Sequence, residues 1–189
     1  MGKGGLRGCG WRLGPELELR LLETGDAAEL HRLIVANREH LAAWLPWAAA
    51  QTEADTVAFL AGTRRQLRDN DGFQAAILVG GTIAGVAGFT GVDWANRSTA
   101  IGYWLAADRQ GRGAMTAAVR ALARHALSAW GLNRVEIRAA TGNARSRAVP
   151  ERLGFTEEAV LRRAQQVGGR AHDLAVYSLL AGETSQRGR

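Results

Sequence analysis

The sequence predicts one mixed α/β domain, and three observations carry that expectation. Short apolar stretches alternate as strands do, longer ones repeat at helical spacing, and the two kinds follow each other without an internal repeat or a linker. The predicted order is strand, two helices, three strands, helix, strand, helix, strand. At 189 residues and 20.2 kDa the chain is long enough to bury one core without disulfides or a structural metal. Residues 1–15 read as a flexible leader, 16–183 as the domain and 184–189 as a tail.

The elements can be justified in turn. Leu17–Glu23 ("LELRLLE") alternates as a strand. Asp26 and Glu29 have the spacing of an N-terminal capping pair, and Leu30, Leu33, Ile34 and Leu41 keep near-helical intervals behind them. Pro46 in "WLPW" disfavours helix at Leu45. Thr52 and Asp55 open a second helix that runs into "RDNDG". "FQAAILV" and "TIAGVAGFTGV" flank Gly80-Gly81, a pair able to supply the positive φ angles of a hairpin turn. "AIGYWLA" (100–106) is the next strand. Met115, Ala118, Val119, Leu122, Ala126, Leu127 and Trp130 then share one helical stripe, closed by Gly131. "RVEIRA" alternates again, a short helix runs from about Ala144 to Gly154, and Leu174–Leu180 is the last strand.

Composition excludes several classes. No apolar run nears the ~20 residues of a membrane span. A single cysteine, Cys9, rules out an intrachain disulfide framework, and four scattered histidines give no metal-binding spacing; no metal is expected. These features suit the cytoplasm. The net charge of +6 is spread along the chain without a dense basic tract or interleaved aromatics, so it reads as solvated surface rather than a nucleic-acid face. A basic cleft for a phosphorylated ligand would use the same charge.

"QGRGAMTAAV" (110–119) points to such a cleft. A strand, a loop with Gly111 and Gly113, and a helix from about Ala114 aim unpaired N–H groups and the positive end of a helix at one place. Glycine lets an anion approach the backbone, and Arg112 adds a donor that stays charged. The segment lacks the lysine and spacing of a Walker loop, and Thr116 stands where a dinucleotide fingerprint needs its third glycine.

"IGYWLAADRQGRGAMTAAVRAL", "GLNRVEIRAATGNARSRAVPERLGF", "LRRAQQVGGRAHDLAVYSLL" and "NREHLAAWLPW" together resemble the RimJ/RimL branch of the GNAT (Gcn5-related) N-acetyltransferases, over roughly Leu17 to Leu180. The pyrophosphate motif [QR]xxGx[GA] is matched at Gln110 and Gly113, with Met115 in the last place. The resemblance implies a single GNAT domain, with a largely antiparallel sheet, splayed central strands and flanking helices. It also implies acetyl-CoA (CoA) as cofactor and an acceptor amine as second substrate. Gln110, Gly111, Arg112, Gly113, Ala114 and Met115 would hold the diphosphate, with Trp104, Leu105, Asn143, Ser146 and Arg147 along the rest of the cofactor.

Within that resemblance, the Leu105 backbone N–H is the expected oxyanion donor. Pro150 stands where many relatives carry a proton-donating tyrosine, so the proton for the thiolate falls to Ser146; helix capping is the alternative for Ser146 and for Asn143. Ala100 and Gln165 replace two glutamates that relatives use. An α-amine, with a pKa of ~7.7–8.0, needs a dedicated base less than a lysine at ~10.4, which favours an α-amino acceptor. Glu39, Asp93 and Asp173 are candidate proton acceptors or amine anchors, or else surface carboxylates. Trp44 and Trp47 form an acceptor wall opposite Tyr103, or belong to the core. The expected function is acetylation of a protein N-terminus by a monomer or homodimer. A small-amine or antibiotic acetyltransferase and a non-catalytic acyl-CoA-binding module are the alternatives, and no nucleic-acid or membrane partner is expected.

Overall fold

The computed structural model describes residues 10–183; Cys9, most of the expected leader and the tail from residue 184 lie outside them. Eight strands form one sheet: β1 (Trp11–Arg12), β2 (Leu17–Leu21), β3 (Gln74–Val79), β4 (Thr82–Asp93), β5 (Ser98–Leu105), β6 (Arg134–Ala140), β7 (Thr156–Val167) and β8 (Arg170–Leu180). Their order in space is β1-β2-β3-β4-β5-β6-β8-β7. Every neighbour pair is antiparallel except β5 and β6. A parallel pair needs a crossover, and the helix α4 (Ala114–Arg124) supplies it.

Helices cover both faces. On one, α4 and α5 (Ala144–Leu153) bury Val119, Leu122 and Val149 against Ile77, Phe89, Ile101, Ile137 and Tyr177. On the other, α1 (Ala27–Ala36), α2 (Arg38–Ala42) and α3 (Glu53–Arg68) bury Leu30, Ile34, Leu41 and Leu60 against Ala76, Leu78, Ile83 and Val86. Strand alternation divides the two sets, so Tyr103 faces α4 and α5 while Trp104 packs with the α1–α3 core.

Several sequence expectations are met. Gly80 and Gly81 adopt φ of 60° and 79° in the β3–β4 turn. Thr52 and Asp55 form a reciprocal capping box at α3, each side chain bonding the other's backbone N–H (Asp55 N–H to Thr52 Oγ1 3.1 Å, Thr52 N–H to Asp55 Oδ2 2.9 Å).

Others are corrected. The leader does not extend to residue 15, because Trp11 and Arg12 pair with Leu19 and Glu18, and the Trp11 ring stacks on Phe73 at 5.4 Å. Asp26 does not cap with Glu29: its carboxylate accepts from Glu23 N–H (2.8 Å) and Arg20 (2.8 Å), while Glu29 reaches Ile83 N–H (2.8 Å). The first predicted helix breaks at Asn37 into α1 and α2. The third predicted helix, α4, loosens into a π turn over His125–Ala129 before Gly131. An additional strand, β7, pairs with β8.

Candidate active site

β5 and β6 pair only at Ser98↔Arg134, Thr99↔Val135 and Ala100↔Glu136. Beyond those three pairs the strands part, although β5 stays paired with β4 up to Leu105 and β6 with β8 up to Ala140. The parting opens a V in the middle of the sheet, closed at Ala100 and Glu136. Leu105 lies five residues above Ala100, and Thr141 five above Glu136; Thr141 N–H donates to Asp173 O (2.9 Å), so Leu105, Thr141 and Asp173 stand at about one level across the mouth.

The V exposes backbone donors. Ala106 N–H donates to Ala84 O on β4 (2.8 Å), and N–H directions alternate along a strand. The Leu105 and Tyr103 N–H groups therefore point into the opening. The Trp104 backbone turns to β4, where it pairs with Val86, and its ring meets Trp47 at 6.3 Å on the α1–α3 side. Trp104 is thus part of the wall on that side.

At the mouth, the chain turns from β5 through Gln110–Gly113 into α4. Gly111 and Gly113 have φ of 76° and 80°, the second being the residue that caps α4, and a Cβ built on either would meet no atom within 4 Å. The space beside both glycines is therefore open, and an open glycine loop leading into a helix N-terminus fits a diphosphate cradle. Arg112 is exposed beside it.

Gln110 binds this mouth together. Its side chain reaches Leu105 O (3.4 Å) and His40 Nε2 (2.8 Å) and accepts from Arg145 (2.9 Å), while Asn37 Oδ1 accepts from Ala107 N–H (2.9 Å). Asn37, His40 and Arg145 were not foreseen. Arg145 replaces Arg147 as the cation near the loop, since the Arg147 guanidinium is taken up by Tyr177 Oη (2.7 Å), Glu157 (3.1 Å) and Thr141 O (3.3 Å).

The far wall of the V is the start of α5. Asn143 caps it, its Oδ1 accepting from Ser146 N–H (3.1 Å), so Ser146 is not itself the cap. Pro150 lies inside this helix, and having no N–H it cannot bond the Ser146 carbonyl four residues back. The Tyr103 hydroxyl satisfies that orphan, donating to Ser146 O at 2.9 Å, while Ser146 Oγ donates to Tyr103 Oη at 3.4 Å. Burial pushes the Tyr103 phenol up to about 12, partly offset by its hydrogen bond with Ser146. Tyr103 therefore stands with Ser146 on the α4–α5 side of the sheet.

The other face carries the aromatics. Trp47 is 38% exposed; Trp44 is half-buried, meets the His172 ring at 6.0 Å and lies over Gly142, where an added Cβ would touch it at 3.6 Å. On this face, at the closed end of the V, a concavity of about 420 Å³ is lined by Thr90, Asp93, Ser98, Ala100, Glu136 and Arg138.

Its carboxylates are occupied. Burial pushes the Glu136 carboxyl up, but Arg134 (3.0 Å) and Arg138 (2.6 Å) outweigh it and hold the group below the ordinary range. Asp93 is held down by the Asn96 backbone and side chain. Asp173 Oδ1 accepts from Arg163 N–H (2.7 Å), and Glu39 is exposed in the first turn of α2.

Comparison with known proteins places this geometry. Residues 16–156 match the family model described as an acetyltransferase (GNAT) domain. The chain is 42% identical to YdaF of Bacillus subtilis (strain 168), which bears the name of a ribosomal N-acetyltransferase, over 91% of this chain and 95% of that protein. A structure of RimL, the ribosomal L7/L12 α-N-protein acetyltransferase in complex with coenzyme A, superposes with a TM-score of 0.88 at 26% identity, covering 93% of this chain and 99% of that one. The microcin C7 self-immunity acetyltransferase MccE, in complex with acetyl-CoA and AMP, gives 0.86 at 30% identity over 93% and 98%.

Proposed function

The chain belongs to the GNAT family of acetyltransferases, and from that premise we propose that it transfers the acetyl group of acetyl-CoA to the α-amine of a protein N-terminus. The observation that carries the reading is the parting of β5 from β6 with an open glycine loop at its mouth. The N–H groups of Gly111 to Met115, with Arg112 and Arg145, suit the diphosphate, and Asn143 suits the arm that enters the V. Acetyl-CoA supplies an activated thioester carbonyl. The Leu105 N–H is aimed to take the charge that develops on that oxygen as the amine attacks. Ser146 gives the departing sulfur its proton, and Tyr103, a neutral phenol across the working range, orients the serine.

The acceptor is proposed to enter from the face carrying Trp44 and Trp47. The names of YdaF and RimL favour a ribosomal protein, and the smaller partner bound to MccE favours a second reading, a small-molecule amine. Incubating the protein with acetyl-CoA and three acceptor sets separates these readings: ribosomal proteins, N-terminally blocked lysine peptides and small amines. Mass spectrometry should find +42 Da on N-terminal α-amines. Free-thiol release without any acetylated product would refute acetyl transfer to amines.

A further inference from the structure

We infer that His172 is the group that accepts the proton of the acceptor amine. This rests on the acetyl-transfer reading above. Attack requires a free lone pair on nitrogen, so an ammonium acceptor must lose a proton where it meets the thioester. The Leu105 N–H fixes the height of that meeting at the mouth of the V.

Three observations bring His172 to it. First, Asp173 is level with Leu105 through the Thr141–Asp173 bond, and His172 is the next residue. Second, Ala175, Tyr177 and Leu179 face the α4–α5 core, so alternation along β8 turns His172 to the opposite face, where its ring meets Trp44. Third, Trp44 lies over Gly142, beside the Asn143 that caps the Ser146 helix, so His172 borders the same opening from the other side. The two proton-transfer groups then flank the thioester, Ser146 on the face toward which sulfur departs and His172 on the face from which nitrogen arrives.

The other titratable groups on this side do not compete. Glu136 lies five residues lower, about 16 Å down the strand, and is clasped by two arginines. Asp93 is held by Asn96, Asp173 alternates to the α4–α5 side and accepts from Arg163 N–H, His40 is engaged with Gln110, and Glu39, Arg162 and Arg163 are exposed.

The step balances. His172 takes the ammonium proton and releases it to solvent, the freed pair forms the C–N bond, and the C–S bond breaks. Sulfur receives the Ser146 proton, and the second proton shed by nitrogen returns through solvent to the serine. One proton is released for each amide formed.

The test is the pH profile of kcat/KM for wild type, His172→Asn and His172→Phe, with acetyl-CoA and a peptide bearing a free N-terminal serine. Wild type should level off well below the amine's own pKa of about 8. Both variants should lose about 10²-fold at pH 6.5 and progressively less above pH 8, with acetyl-CoA affinity unchanged. Phenylalanine keeps a ring against Trp44, so a purely structural His172 would leave that variant's profile where it was. Gln165 is the cross-strand partner of His172, and adding Gln165→Glu to His172→Asn should restore the low-pH rate. Variants that keep the wild-type profile overturn the base and leave acetyl transfer standing. A wild type that acetylates neither this peptide nor any acceptor above overturns both.

Discussion

Replacing Tyr103 by Phe removes one hydroxyl and almost no volume, and the structure specifies what that hydroxyl does. It donates at 2.9 Å to the Ser146 carbonyl, which Pro150 cannot serve. A part-buried acceptor left without a donor costs about 1–2 kcal/mol. In a chain of this length each kcal/mol moves Tm by about 2–4 °C, so Tyr103→Phe should lower it by about 2–8 °C. Because burial places the phenol near 12, the loss should be constant from about pH 6 to pH 10. Pro150→Ala supplies the missing N–H from within the helix. In a Pro150→Ala background the carbonyl then has an alternative donor, and Tyr103→Phe should become nearly neutral. The assay is a four-protein thermal and urea cycle, read as a coupling energy of about 1 kcal/mol or more. Equal losses in both backgrounds would refute the idea that Tyr103 stands in for the amide that proline lacks.

Three further outcomes are expected. Ser146→Ala should lower kcat by about 10²-fold with KM for acetyl-CoA and Tm little changed, because Asn143 and not Ser146 caps α5; stopped thiol-release assays and a melting curve measure both. Gly113→Ala costs about 1–2 kcal/mol for a left-handed residue at φ 80°, and since the Cβ enters the open space of the loop, acetyl-CoA should raise the variant's Tm much less than the wild type's. Burial lowers the His125 pKa, so the unfolded chain binds a proton more readily; stability is full above the ordinary value of 6.5 and falls as pH drops through it. His125→Phe should flatten that acid slope of Tm.

The sequence and the structure agree where local chemistry decides the backbone. Gly80-Gly81, the Thr52–Asp55 box and the glycine loop are each written in a few adjacent residues. β7 was missed because Thr156–Ala164 is exposed on both sides, so no alternation marks it, and only pairing with β8 holds it extended. Trp11–Arg12 is too short to show any period. In the site, the glycine loop could be read from its own residues, whereas Asn143 and Ser146 came from the resemblance to the family. Which of Arg145 and Arg147 meets Gln110 depends on how α5 is rotated against β8, and nothing local records that. Tyr103 and Trp104 must face opposite ways, but which helices cover which face is decided by the packing of distant segments. His172 becomes visible only through the level of β8 relative to β5.

The three-pair seam between β5 and β6 has one more consequence. An eight-stranded sheet ordinarily presents two edges, whereas this one presents four, two of them inside the molecule. Their free N–H and C=O groups are templates for another strand, the same hazard that outer edges carry. Trp44, reaching across to His172 and Gly142, and Gln110, reaching across to Arg145, roof the gap with side chains instead of backbone. Shortening either reach, by Trp44→Ala or Gln110→Ala, therefore bears on solubility as well as on catalysis, and bound acetyl-CoA should protect against aggregation simply by filling an interior edge.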